Sequence, residues 1–361
     1  MNSTSHQTSR AAAAPPAATR IRPLGKLVTA LALAIALGTP AAAHASYAGR
    51  EDARTFAAEI ASRHALDATE IERALAGARH DPEVIRLITP PTRKGVRSWH
   101  SYRARFLDRT RIDGGMRFWR EHADTLARAE RETGVPAEVI VAIIGVETIY
   151  GRNTGNFETL STLATLAFDY PPRAELFRRE LEALFLLARE QGRDPASYYG
   201  SFAGALGYPQ FLPSSMRAYA LDFDHSGAID FESDPIDAIG SVANYLRAHG
   251  WQAGAPVAER ARLSPATDTA SLVAAGIEPT LAPAVLADNG VTTADGRTAA
   301  AVATLVDLET PGSGTEYWLG YRNFYVITRY NRSSFYAMSV FELAEALRLG
   351  RLVEEIRAER R

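Results

Sequence analysis

The 361-residue sequence contains no cysteine. That absence excludes disulfides, thiolate nucleophiles, cysteine-based zinc sites and a lipid anchor on that residue type. A run long enough for a permanent membrane span is also missing. The apolar stretch Leu27 to Leu37 falls well short of the ~20 residues a bilayer requires. No internal repeat is present, and neither is an excess of positive charge. The first 45 residues hold four of the 40 Lys and Arg and none of the 42 Asp and Glu, so the remainder carries a formal charge of −6. An acidic chain is a poor nucleic-acid binder, because that affinity comes from neutralising phosphates. Basic residues do cluster at Arg93-Lys94-Gly95-Val96-Arg97 and from Arg103 to Arg111. Solvated helix faces account for both.

What is present begins with a leader. Arg20, Arg22 and Lys26 precede the Leu27–Leu37 stretch; Gly38 and Pro40 then lead to Ala43-His44-Ala45 before Ser46. A basic start, a short apolar middle and an A-x-A cut make residues 1–45 a secretory signal peptide. The mature chain is expected to be exported, periplasmic and soluble. Apolar residues make up 46% of the sequence, ample for a core and for two or more subdomains.

Helical periodicity covers 52–63, 68–78, 81–87, 117–133 and 174–191, and a further helix spans 339–356. From Trp251 to about Ala300 the texture turns to Ala, Pro, Gly and Thr with weak amphipathicity. Three β-rich runs follow, Val302–Leu308, Thr315–Leu319 and Asn323–Thr328, which suggest a small sheet set late in a helical protein.

One side chain breaks an otherwise apolar helix. Pro136 suits a helix start, and Ile140, Ile143, Ile144 and Glu147 then share one face. Val139, Ile143, Val146 and Tyr150 form the adjoining stripe, and Gly151 is the expected stop. A carboxyl near the C-terminus of a buried helix is opposed by the helix dipole and by desolvation. Both raise its pKa, as a general acid needs. The polar turn Arg152 to Asn156 frames a cleft. A second stretch, Ser201 to Ser215, interleaves Gly204 and Gly207 with small and aromatic residues, a texture that admits close backbone approach to a ligand. Within it Ser201 and Gln210 can bond hydroxyl or acetamido groups, and Tyr208 and Phe211 offer faces to sugar C–H groups.

The segments VETIYGRNTG, SFAGALGYPQFLPSS, DPIDAIGSVANYLRAHGW and RYNRSSFYAMSV together resemble the lytic transglycosylases of the membrane-bound B type, glycoside hydrolase family 103, over about residues 50–355. The resemblance implies an α+β, mainly helical fold: a lysozyme-like catalytic core with an N-terminal helical domain and a small inserted β-domain. The expected boundaries are 46–130 for the helical domain, 131–251 for the core, 252–320 for the insert and 321–361 for the return. It further implies cleavage of peptidoglycan between N-acetylmuramic acid and N-acetylglucosamine, with Glu147 as the catalytic acid. Ser201, Gln210, Asn244, Tyr245, Tyr330, Asn331 and Tyr336 match cleft positions, and the three tyrosines Tyr245, Tyr330 and Tyr336 are expected to hold sugar rings. Pro209 departs from the glycine usual before that glutamine.

Glycosidases ordinarily use two carboxylates. The neighbours along the chain have other readings: Glu158 as an acid at a helix start and Asp169 as turn chemistry before Tyr170-Pro171-Pro172. The resemblance implies a route with one: Glu147 protonates the leaving oxygen, then removes a proton from the sugar's own C6 hydroxyl, leaving a 1,6-anhydromuramyl end. The alternatives are a hydrolytic muramidase on the same fold and a non-catalytic peptidoglycan-binding protein.

Residues 222–233 place Asp222, Asp224, Ser226, Gly227 and Asp230 at positions 1, 3, 5, 6 and 9 of a calcium-loop pattern, while Ser233 occupies position 12 where a bidentate glutamate belongs. The resemblance supplies Asp237 as its replacement, and Asp222, Asp224, Ser226, the Ala228 carbonyl and Asp237 as a structural Ca2+ site. No organic cofactor is expected. Peptidoglycan glycan strands are the expected partner, nucleic acid is not, and cell-wall synthesis or division proteins stand as further candidates.

Overall fold

Local capping chemistry starts most of the N-terminal helices. The Asp67 carboxylate accepts from Thr69 N ahead of Ala68–Gly77, and Asp81 accepts from Glu83 N ahead of Pro82–Ile88, with Pro82 in the first turn. Ser98 and Asp108 do the same for Trp99–Arg103 and Arg109–Glu121. The computed structural model describes residues 46–91 and 95–360. The signal-peptide reading of residues 1–45 lies outside them, as do Arg93 and Lys94 of the first basic cluster. Among the described residues no helix is long and apolar enough to cross a membrane.

The protein is mainly helical with a small sheet. At its centre lies the helix Ala137–Thr148, in which all but two residues are buried. Val139, Ile140, Val141, Ile143, Ile144 and Val146 are β-branched and weak helix formers. Burial of each is worth about 1.5–3 kcal/mol, against a propensity cost of only a few tenths, so packing decides the conformation. The helices Arg109–Glu121, Pro235–Ala248 and Ser334–Glu359 pack around it. The hairpin Thr159–Asp169 and Ala174–Gln191 forms an adjoining layer.

The antiparallel four-stranded sheet lies entirely between 258 and 320, in the order Val291–Thr293, Ala258–Leu263, Glu316–Gly320, Thr304–Leu308. It covers its own small core of Leu272, Leu286, Val291, Leu305, Leu319 and Tyr321. A two-stranded ribbon, Phe157–Glu158 with Tyr199–Gly200, joins the turn after the central helix to the glycine-rich segment.

Several expectations change. The 117–133 run is two helices that meet at His122. The Asn323–Thr328 run is part of a helix, Arg322–Tyr330, not a strand. There Asn323 is fully buried and bonds Gln252 N, Gln252 O and Ala255 O, while Phe324, Val326 and Ile327 enter the main core. The strand Ala258–Leu263 carries no apolar alternation in its sequence: Arg260 and Arg262 face outward, and Glu259, on the opposite side, is half-buried and accepts from the Tyr321 hydroxyl. The basic clusters are solvated only in part: Arg103, Arg105 and Arg109 are exposed, but two other members are engaged. Arg97 stacks on the Phe335 ring at 4.1 Å, and Arg111 is folded inward onto Asp108, Arg105 O and Gly145 O.

Candidate active site

Glu147 lies on the last turn of the central helix and keeps partial solvent access. Its Oε1 accepts a 2.5 Å hydrogen bond from the Tyr336 hydroxyl, brought in by the C-terminal helix. Desolvation is the larger influence on the carboxyl and the Tyr336 bond opposes it; the net result is a pKa pushed up to about 7. Tyr336 itself is held well above its ordinary value, by burial first and by the Glu147 charge next, so it stays a donor. Among the described residues no second carboxylate perturbs Glu147.

The helix ends earlier and more sharply than expected. Ile149, Tyr150 and Gly151 all adopt positive φ (53°, 59° and 81°), so the stop begins at Ile149 and Tyr150 leaves the helical stripe. A β-branched residue there is a conformational outlier, costing about 1–2 kcal/mol. The turn is braced from three sides. The Thr148 hydroxyl donates to Tyr208 O and accepts from Gly151 N, both at 3.0 Å. Asn153 N donates to Thr148 O at 2.9 Å. Gly151 lies so close to the Tyr208 ring that a Cβ would collide with it.

The glycine-rich segment packs against protein rather than leaving room for a ligand. A Cβ on Gly200 meets Ala205 O, one on Gly204 meets Leu163, and one on Gly207 meets the Phe231 backbone. This compaction sets two polar groups. Ser201 Oγ accepts from Ala203 N (3.3 Å) and Ala205 N (3.1 Å) and retains its own proton to donate. Gln210, itself at φ 52°, directs Nε2 to Thr154 O (3.1 Å) and Gly207 O (2.9 Å), leaving Oε1 as a free acceptor.

Of the three tyrosines expected to hold sugar rings, two are buried and one keeps exposure. Tyr330 is half-buried, stacks on Tyr336 at 6.5 Å and 13°, and donates to Pro209 O at 2.6 Å. Tyr336 and Tyr245 are core residues rather than open platforms. The Tyr245 ring is enclosed by Phe211, Tyr219, His249 and Tyr330, and its hydroxyl is spent on Arg329 O at 2.7 Å. It builds the wall behind Tyr330. Asn244 Nδ2 braces Tyr219 O at 2.8 Å, and Asn331 is exposed just beyond Tyr330. One neighbour went unanticipated: Tyr102, in the short N-terminal helix, lies near enough for the Glu147 charge to raise its phenol, after burial. No local pattern links residues so distant along the chain.

Asp169 ends a helix, and its carboxylate clasps three side chains from the N-terminal part of the chain. It takes Arg50 Nη1 and Tyr47 Oη at 2.7 Å each and His80 Nδ1 at 3.0 Å. Glu158 directly precedes the helix Thr159–Asp169 and accepts from the Ser161 hydroxyl.

Asp222 and Asp224 of the 222–233 loop and Asp237 of the following helix each place a carboxylate oxygen within 4.8 Å of the others. Ser226 adjoins them, its N donating to Asp222 and Asp224 at 2.9 Å and its Oγ to Ala228 O at 3.1 Å. Asp237, buried at the start of Pro235–Ala248, accepts from Phe223 N (2.6 Å) and Asp230 N (2.8 Å). Ser233 bonds Asp230 instead of joining the cluster. The converging set is all oxygen, the donor type a hard cation requires.

Residues 48–345 match the family described as the transglycosylase SLT domain. The chain is 40% identical over 315 residues to the membrane-bound lytic murein transglycosylase B of Escherichia coli K12, covering 85% of each chain. Its fold is similar to that of the soluble lytic transglycosylase SltB1 of Pseudomonas aeruginosa, with a TM-score of 0.77 and 45% identity over 83% of this chain and 99% of that one. It is also similar to the Escherichia coli lytic transglycosylase Slt35 in complex with calcium, with a TM-score of 0.72 and 39% identity over 86% and 97% of the two chains. The chain thus belongs to the transglycosylase SLT domain family and is one of its lytic transglycosylases.

Proposed function

We propose that Glu147 is the single acid/base in cleavage of the β-1,4 bond between N-acetylmuramic acid and N-acetylglucosamine in peptidoglycan. The observation that carries this reading is a carboxyl raised to about 7 with no second carboxylate acting on it. Tyr336 fixes Oε1, which leaves Oε2 to carry the proton. That proton passes to the glycosidic oxygen as the bond to C1 breaks, and the muramic N-acetyl oxygen stabilises the cation. The resulting carboxylate takes the C6 hydroxyl proton while the C6 oxygen closes onto C1. Glu147 is restored and no water is consumed. A hydrolase would need a group to activate water opposite Glu147, and among the described residues no carboxylate shifts the Glu147 pKa. In this proposal Ser201, through its hydroxyl proton, and Gln210, through Oε1, bond acetamido or hydroxyl groups, and Tyr330, Asn331 and Asn244 are further glycan-site residues.

The pH dependence tests this assignment. From about pH 5 upward, kcat/KM on purified glycan strands should fall in a single limb through about pH 7, as the acid form is lost. A rate that rises with pH across this range contradicts a protonated Glu147.

The loop residues Asp222, Asp224, Asp237, Ser226 and Ala228 fit a structural calcium ion. The ion would neutralise three crowded carboxylates and tie the loop to the helix that carries Asn244. Binding only the folded form stabilises it by mass action. Calcium should therefore raise Tm above its value in chelator, and by more than magnesium does. Identical curves in calcium and chelator for the wild type exclude the site. The helical segment 46–130, core 131–251, sheet-bearing insert 252–320 and return 321–361 are the domain reading that accompanies this proposal. Export to the periplasm, where peptidoglycan lies, rests on the leader in residues 1–45.

A further inference from the structure

We propose that Tyr150 is a positioning residue for Glu147, seated in a slot of three glycines that fixes the helix end carrying the acid. The inference rests on Glu147 being the acid. Tyr150 follows the reversed residue Ile149, so its side chain folds back alongside the helix that the chain has just left. Its ring fills a space that exists only because Gly114, Gly115 and Gly145 have no side chains. A methyl on Gly114 would lie 2.9 Å from Tyr150 Cε2, and methyls on Gly115 and Gly145 would collide with its phenol oxygen. Two of these glycines belong to the Arg109–Glu121 helix, and the third sits two residues before Glu147 on the same helix.

The seat is fastened at its far end. Tyr150 Oη donates to Arg111 O at 2.8 Å, and the Arg111 guanidinium reaches Gly145 O at 3.1 Å. Phe118 packs against the ring at 5.4 Å. Arg111 thereby links the anchor to the last turn of the acid helix, while Tyr150 pins the residue three places beyond Glu147. A left-handed Ile149 and Tyr150 persist only where surroundings over-determine them, and such strain accumulates at functional sites. The ring in its slot supplies that determination from one side, as Thr148 on Tyr208 does from the other. Releasing the ring lets the turn relax and the carboxyl shift relative to the scissile bond, and a displacement of about 1 Å can cost ~100-fold in rate.

The test is a cycle of Tyr150→Ala and Gly114→Ala, with Tyr150→Phe as the conservative control, read as kcat and KM on peptidoglycan fragments beside a melting curve. A methyl on Gly114 meets the Tyr150 ring and otherwise only the flexible end of Arg117. Tyr150→Ala should lower kcat by ~100-fold with KM within about threefold. Tyr150→Phe, which keeps the ring, should restore most of that loss. Gly114→Ala should lower kcat by ~10-fold in the wild type and have no further effect in Tyr150→Ala, because its only target is gone. A folded Tyr150→Ala enzyme with kcat within about threefold of wild type overturns the proposal, and so do losses that multiply independently in the double variant. If Tyr150→Ala fails to fold, unchanged kcat in a folded Gly114→Ala protein overturns it alone. These outcomes are separate from failure of the acid assignment, which would appear as an active Glu147→Gln enzyme.

Discussion

Glu147→Gln should abolish turnover, by ~10³- to 10⁴-fold, and at the same time make the protein more stable above neutral pH. The amide keeps the side chain's shape and an oxygen to accept from Tyr336, but it can neither deliver nor remove a proton. The stability gain follows from linkage. The Glu147 pKa rises from 4.5 to about 7 on folding, chiefly through desolvation. Any stability tied to the protonated carboxyl is fully present below about 4.5, where both states are protonated, and is lost as pH rises through about 7. At ~1.4 kcal/mol per unit the loss amounts to roughly 3 kcal/mol. The variant avoids it. Its Tm should match the wild type near pH 4 and exceed it near pH 8. A variant that keeps more than a few per cent of turnover, or that melts below wild type at pH 8, contradicts the placement of Glu147 as a desolvated acid.

Asp237→Ala should produce the largest loss of stability among the site residues outside the cleft. The side chain is buried, and its oxygens receive Phe223 N at 2.6 Å and Asp230 N at 2.8 Å. Truncation leaves both donors without that acceptor, at about 1–3 kcal/mol each, so a total of ~3–5 kcal/mol is expected in denaturant unfolding. The calcium-dependent rise in Tm should vanish with it. Asp237→Asn keeps an acceptor and should cost less. Turnover by the folded fraction should change little, because no chemical step uses this loop. A loss below about 1 kcal/mol would show that the two amides do not depend on Asp237.

The parts of the fold that could be read from the chain are those set by local rules. Residues 174–191 show one apolar stripe, Leu176, Leu181, Leu184, Phe185 and Ala188, and the helix occupies that span. Glu147 is visible because it stands near the end of a helix whose other residues, Glu138 apart, are apolar or small and buried. Long-range geometry was not visible. Residues 323–328 have the β-branched content of a strand, but Asn323 locks them into a helix through bonds to residues about seventy positions earlier. Tyr245 and Tyr336 lie in glycan-site motifs, yet only packing shows that Tyr245 backs the wall and Tyr336 grips the acid. The glycines of 200–207 signal close approach, and the partner turns out to be the protein's own backbone. Tyr150 continued a helical stripe on paper. Its real seat depends on glycines from another helix, a relation that no periodicity records.

The central claim is that one carboxyl does the work of two and the sugar's own hydroxyl takes the place of water. Mass spectrometry of fragments released from purified peptidoglycan in oxygen-labelled water tests it directly. Muramyl ends one water lighter than hydrolysed ends, with no label incorporated, are expected from the wild-type enzyme, and no such fragments from Glu147→Gln. Labelled reducing ends from the wild-type enzyme would contradict it.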